Sequence, residues 1–181
     1  YRGPREMTDE MKALLGPYDV VCLDAFAVAR KFPVRTLDGW ELKPYAIVNS
    51  RFAEVLYIDA DNVVVRNPEF LFETQLYKET SSLFWQDLPN DLSGVSYLKD
   101  SAWELLGLPF RDEPQFESGQ LLVDKRRCWR PLQLTLHLNE HSDHYYTAFF
   151  GDKDTFHLAC RKVEQEYSLN PHPPAMLGAQ H

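Results

Sequence analysis

Two aspartates one residue apart, Asp59 and Asp61, close the apolar run Glu54-Val55-Leu56-Tyr57-Ile58. If that run is a β-strand, residues two apart point to the same side, so both carboxylates converge on one ligand while Ala60 faces away. Neighbouring carboxylates repel and raise each other's proton affinity unless a cation sits near them. Hard oxygen ligands suit magnesium or manganese, which keep positions open for water and substrate phosphate. The carboxyl ends of strands are where open α/β sheets bind ligands. A cation held there would neutralise a departing diphosphate. Alone the triplet says little, because aspartates after a strand also serve turns and helix caps.

Two further groups of residues carry candidate chemistry. Asp152 and Asp154 flank Lys153 where a helix should begin, so they serve either as N-cap and first-turn acids or as site carboxylates. His137-Leu138-Asn139-Glu140-His141 fits an H-x-x-E-H pattern on an expected helix, with His144 one turn on. His137 and His141 share a helix face and would bind zinc with Glu140 as base, which makes a zinc hydrolase the main rival reading. That class needs a distant acidic ligand, and the only downstream glutamates are Glu164 and Glu166, in a short stretch.

The elements that must hold these side chains follow from punctuation and periodicity. A short helix is expected from Pro4 to Leu15, ended by Gly16-Pro17. Asp19 to Asp24 reads as a strand buried on both faces. Helices are expected from Trp40 to Asn49 with Pro44 in the first turn, from Asn67 to Tyr77, from Leu98 to Leu106 before Gly107, from Pro131 to about Ala148, and from Gly151 to about Lys162. Strands are expected at Glu54 to Asp61, at Ser82 to Trp85, and at Phe116 to Val123 with a break at Ser118-Gly119. Alternating strands and helices imply an α/β layered domain with a mostly parallel central sheet flanked by helices. Pro171 to Pro174 reads as an extended crossing segment.

Composition narrows the partners. The 181 residues, 44% hydrophobic and 13% aromatic, suffice for one core and one domain over residues 1–181. Against 19 basic side chains stand 27 acidic ones, a net charge of -8 that argues against nucleic acid and leaves anionic substrates dependent on a metal or local basic groups. Cys22, Cys128 and Cys160 are widely spaced, with no C-x-x-C pair, and read as small buried apolar residues. No apolar run is long enough to form a membrane segment in this chain, although a parent protein could be membrane-anchored.

Several longer motifs surround the acidic triplet: Gly39-Trp40-Glu41-Leu42-Lys43-Pro44-Tyr45 before it, Arg66-Asn67-Pro68 after it, then Glu117-Ser118-Gly119-Gln120 with Val123-Asp124-Lys125, and Gly151-Asp152-Lys153-Asp154-Thr155-Phe156. In order and spacing the chain resembles the mannosyltransferase family that includes fungal α-1,3-mannosyltransferases. The resemblance implies a glycosyltransferase A-type fold of the nucleotide-diphospho-sugar transferase kind and transfer of a sugar, most simply mannose from GDP-mannose, to a glycan hydroxyl with retention. It implies Mn2+ (or Mg2+) held by Asp59, Asp61 and the terminal His181, and a donor-facing turn from Glu117 through Ser118 and Gly119 to Gln120. It also implies sugar contacts from Asp152, Lys153 and Asp154, with Glu117, Asp152 and Asp154 closest to the chemistry, and a phosphate contact from Lys43. Relative to the family, the first nucleotide-binding strand and the C-terminal end are expected to be missing. Location would be the lumenal side of the Golgi membrane in a eukaryote and the cytoplasm in a bacterium. A non-catalytic carbohydrate-binding module, using Trp85, Trp103 or Trp129 to stack on sugars, is the alternative outside enzymes.

Overall fold

The computed structural model describes residues 6–88, 98, 100–111 and 113–175. Within them lies a mixed α/β domain with a small sheet flanked by helices. Helix α1 (Asp9–Leu15) starts at Thr8, whose hydroxyl accepts from the Met11 amide, and a 3-10 turn over Gly16–Tyr18 follows. Helix α2 (Ala25–Ala29) is capped by Asp24, and α3 (Leu42–Asn49) carries Pro44 in its first turn, as expected. Next come β1 (Glu54–Ile58), a 3-10 segment over Pro68–Glu73 and α4 (Gln75–Thr80). The chain continues through β2 (Ser82–Gln86), α5 (Asp100–Leu106), β3 (Phe116–Asp124), α6 (Trp129–Glu140), α7 (Ser142–Tyr145), α8 (Lys153–Lys162) and β4 (Ser168–Leu169).

The sheet order is β1-β3-β2-β4. β3 pairs antiparallel with both β1 and β2, and only the short β2–β4 pair is parallel. The expected mostly parallel sheet is therefore corrected: alternation of strands and helices does not fix direction, and here β3 returns between β1 and β2. The strand expected at Asp19 to Asp24 is also absent. Its apolar side chains lie open to solvent, with Val20 47% and Val21 60% exposed, and Asp24 serves as a helix cap instead. A buried-strand pattern needs neighbours on both faces, and this segment has none to pair with among the described residues.

β3 is the hub. Leu121 and Val123 face a core made with Ile47 of α3, Leu132 of α6 and Phe156 and Cys160 of α8. Leu122 points the other way, against Leu83 and Tyr77. A second helical core joins Trp103 of α5, Leu138 of α6 and Leu158 of α8. Between the pairs Leu83–Leu122 and Trp85–Glu117 the register slips, so Ser118 to Leu121 oppose Phe84 alone. The break expected at Ser118-Gly119 is thus a bulge inside a continuous strand, a common way to aim side chains beside a site. Cys128 and Cys160 are buried free thiols, as expected, and Cys22 is half-buried. Among the described residues no helix is long and apolar enough to cross a membrane.

Candidate active site

β1 ends at Ile58, so Asp59 begins a turn instead of completing the strand. The Asp59 amide donates to the carbonyl of Gly119 (2.7 Å) and the Asn62 amide to the carbonyl of Asp59 (3.0 Å). The carboxylates of Asp59 and Asp61 are therefore arranged by a turn and not by strand alternation. Asp59 is partly buried, whereas Asp61 is exposed at the turn's crest.

Asp59 is firmly placed. Its Oδ1 accepts from the Tyr57 hydroxyl at 2.6 Å, and its Oδ2 lies 2.8 Å from Lys43 Nζ. Lys43 enters from the first turn of α3, with its side chain only 14% exposed, and donates to Ser118 Oγ at 2.9 Å. The same ammonium is 3.8 Å from Asp152 Oδ2. One cation thus ties together the end of β1, the bulge of β3 and the start of α8.

The bulge closes the floor. Glu117 Oε1 accepts from the Gly119 amide at 2.6 Å, and Asn62 donates to the Gly119 carbonyl at 2.7 Å. A Cβ on Gly119 would stand 2.9 Å from Asn62 Nδ2, 3.0 Å from Glu117 Oε1 and 3.6 Å from Asp59 Oδ2. Glycine is what lets backbone and acids approach so closely. Gln120 lines an apolar cavity of about 480 Å³ with Asn62, Trp85, Val64 and Phe70, and a second cavity with Glu117.

The two acids before and inside α8 differ. Asp152 occupies the N-cap position but makes no capping bond; its carboxylate turns toward Lys43, and its Oδ2 lacks a hydrogen-bond partner. Burial pushes its pKa up to about 6, despite the lowering influence of Lys43. Asp154 is only 1% exposed and turns into the core, where Oδ1 accepts from the Phe116 amide at 3.3 Å. Burial raises its pKa too. Behind it His157 stacks on Phe116 at 3.9 Å, with Nε2 3.4 Å from Glu113. Burial alone would raise the Glu113 carboxyl, but His157 and Arg161 hold it below its ordinary range. Lys153 turns aside to Asp87, 2.5 Å away.

The structure therefore gathers Lys43, Asp59, Glu117, Ser118, Gly119 and Asp152, sets Asp61 at the rim, keeps Gln120 with Glu117 along a neighbouring cavity, turns Lys153 to Asp87 and buries Asp154 in the core. His181 lies outside the described residues. Sequence reasoning missed Tyr57, Asn62, Glu41 and Tyr146. Tyr57 was findable, because it is the tyrosine of β1, two residues before the Asp59 turn its hydroxyl reaches. Glu41 is 6% exposed with Oε2 unpartnered, and with Asp152 it helps raise the pKa of the Tyr146 hydroxyl, after burial. Contacts of that kind across distant segments leave no sequence signal.

His137, Glu140 and His141 do come together, at the end of α6 and away from this cluster. Of the candidate stacking tryptophans, Trp103 is 2% exposed and belongs to the core, while Trp129 is exposed and Trp85 half-buried.

A buried lysine bridging a strand-end aspartate, a glycine bulge and a helix-start aspartate matches the motifs that carried the resemblance, and a family comparison agrees. The chain belongs to the family described as "Mannosyltransferase putative", whose model matches residues 1–97 and 110–181. It is 28% identical over 173 residues to the Candida albicans alpha-1,2-mannosyltransferase MNN2, covering 72% of this chain and 29% of that protein. It is 28% identical to MNN21 of the same organism, over 80% of this chain and 27% of the relative. The Saccharomyces cerevisiae alpha-1,2-mannosyltransferase MNN5 is 26% identical, over 72% of this chain and 31% of the relative. The chain thus spans about a quarter to a third of the length of these relatives. All three are named for α-1,2 linkages, while MNN14 of Candida albicans, 24% identical over 75% of this chain and 23% of the relative, is named "Putative alpha-1,3-mannosyltransferase".

Proposed function

We propose that the cluster around Lys43 is the donor site of a mannosyl transfer from a nucleotide-sugar, most simply GDP-mannose, to a glycan hydroxyl. The observation that carries this reading is the meeting of Asp59, Lys43, Ser118 and Asp152 beside the Glu117-Gly119 bulge. The named relatives favour mannose as the sugar, and their α-1,2 linkage is the one we propose here.

A divalent ion of the manganese or magnesium type suits the hard carboxylate oxygens of Asp59 and Asp61, and Asp59 Oδ2 would then exchange its ion pair with Lys43 for the metal. Asp59 and Asp61 would hold it, and it would supply charge neutralisation for the departing diphosphate. The protein's own groups do the rest. Lys43 adds a fixed positive charge in a largely buried setting, where it needs no reorganisation as the leaving group gains charge. Arg66, the other basic candidate, instead stacks on Phe70 at 3.9 Å. The Glu117 carboxylate, anchored by the Gly119 amide, would accept hydrogen bonds from sugar hydroxyls, as would Asp152 once the donor opens a path to it. Retention, if the family pattern holds, would use Asp152 or the leaving group to guide front-face attack. Fungal relatives favour the eukaryotic location, the Golgi lumen.

Calorimetric titration of GDP into the chain, with and without Mn2+ and repeated with UDP, tests the reading. The expected result is GDP binding that needs Mn2+ and is lost in Asp59→Asn and Asp61→Asn while circular dichroism stays unchanged. Equal binding in EDTA, or undiminished binding in Asp61→Asn, removes the metal role. Preference for UDP redirects the donor.

A further inference from the structure

We infer that the last turn of α6 is a separate binding site for a borderline divalent transition ion of the zinc type, formed by His137, Glu140 and His141. The three side chains stand at positions i, i+3 and i+4, which share one helix face. One ligand atom from each lies within 4.8 Å of the others, and the two imidazole rings are 4.3 Å apart centre to centre. Glu140 Oε1 is 4.0 Å from Nδ1 of His137. Zinc bonds of about 2.0–2.2 Å need ligand atoms about 4 Å apart or less, so modest side-chain rotation closes the set.

Two observations beyond proximity favour a ligand. His141 Nδ1 lies 2.9 Å from the carbonyl of His137, a bond that puts the proton on Nδ1 and leaves the Nε2 lone pair for a metal. The helix end that carries the set is held from outside. Arg35 donates to the Glu140 carbonyl at 3.2 Å and grips Asp143 with two bonds, 2.5 and 2.8 Å. The backbone under the ligands is therefore fixed before any ion arrives, while the side chains, 50%, 25% and 35% exposed in sequence order, are reachable from solvent.

Two imidazoles and a carboxylate select by softness. Such a set prefers Zn2+, with Cu2+ and Ni2+ close by, over Mn2+ or Mg2+. The all-oxygen acids at Asp59 and Asp61 have the opposite preference, so the two sites separate by ion as well as by place. With three protein ligands a fourth position stays with water. Glu140 is used as a ligand, so no base remains for hydrolysis. Bridging i and i+4 instead staples the end of α6, where the helix breaks at His141 before α7.

The test is Zn2+ titration of the chelator-stripped chain against a chromophoric zinc indicator, with melting followed in parallel. One Zn2+ per chain is expected, with a rise in Tm, at least tenfold weaker binding in His137→Ala, His141→Ala and Glu140→Gln, and no change in Asp59→Asn. These side chains are solvent-exposed, and far-UV circular dichroism verifies that each variant is folded. Mn2+ at the same concentration should not displace the Zn2+. Equal competition by Mn2+, undiminished binding in the histidine variants, or no binding by the unmodified chain would each overturn the assignment.

Discussion

Asp152 shows how burial of a single carboxyl sets a pH dependence of stability. A carboxyl whose pKa rises from 3.8 to about 6 on folding holds its proton more tightly in the folded than in the unfolded chain. Between about pH 4 and 6 the folded state binds more protons, so stability falls as pH rises through that window and is flat above it. At neutral pH the ionised Asp152 then costs on the order of 3 kcal/mol. Asp152→Asn should therefore raise stability at pH 7, flatten the pH 4–6 slope, and still lose mannosyl transfer. Urea denaturation across pH checks the first two, and an unchanged slope would show that burial is not what Asp152 opposes. Perturbed acids of this kind gather at functional sites. In sequence, Asp152 and Asp154 looked equivalent. The structure separates them: Asp152, at the N-cap position before α8, faces Lys43, and Asp154, in its first turn, is buried against Phe116.

Among the elements, the loop between α7 and α8 is set by Gly151. Its φ of +74° disfavours any side chain, and an added Cβ would meet the Trp40 ring at 2.8 Å. Trp40 also packs on Phe150 and Tyr146, with ring centres 5.8 and 6.2 Å away. Gly151→Ala should cost about 1–3 kcal/mol through backbone strain and overpacking. It should also shift the tryptophan emission, because the ring must move. Chemical denaturation followed by fluorescence measures both, and a cost below about 0.5 kcal/mol would mean that the half-exposed Trp40 simply swings aside. Several elements were legible in the sequence because their punctuation is local: Gly16-Pro17 ends α1, Pro44 sits in a first turn and Gly107 follows α5, whereas Asp24, read as a strand end, caps α2. Strand direction was not legible, since antiparallel return of β3 between β1 and β2 depends on long-range pairing. β4 was missed because two residues carry no periodicity.

At the scale of the whole molecule, charge and apolar surface act against each other. The outer edge of β1 has no strand partner among the described residues. Val63 is 86% exposed and Val65 92%, and they line the cavity together with Val64 and Phe70. Exposed edges and contiguous apolar surface invite association. A net charge of -8 opposes it, because like-charged chains repel at distances within the Debye length. Salt shortens that length to about 3 Å at 1 M while leaving apolar attraction in place. This chain should therefore be monomeric at low ionic strength and self-associate as NaCl rises, the reverse of what ion-paired contacts would do. Sedimentation velocity from about 0.05 to 1 M NaCl reads the trend. Val65→Lys should suppress the salt-induced species by charging the cavity rim without touching Lys43, Asp59 or Asp152. If association instead weakens with salt, charged contacts hold the copies together and the apolar rim is not the contact surface.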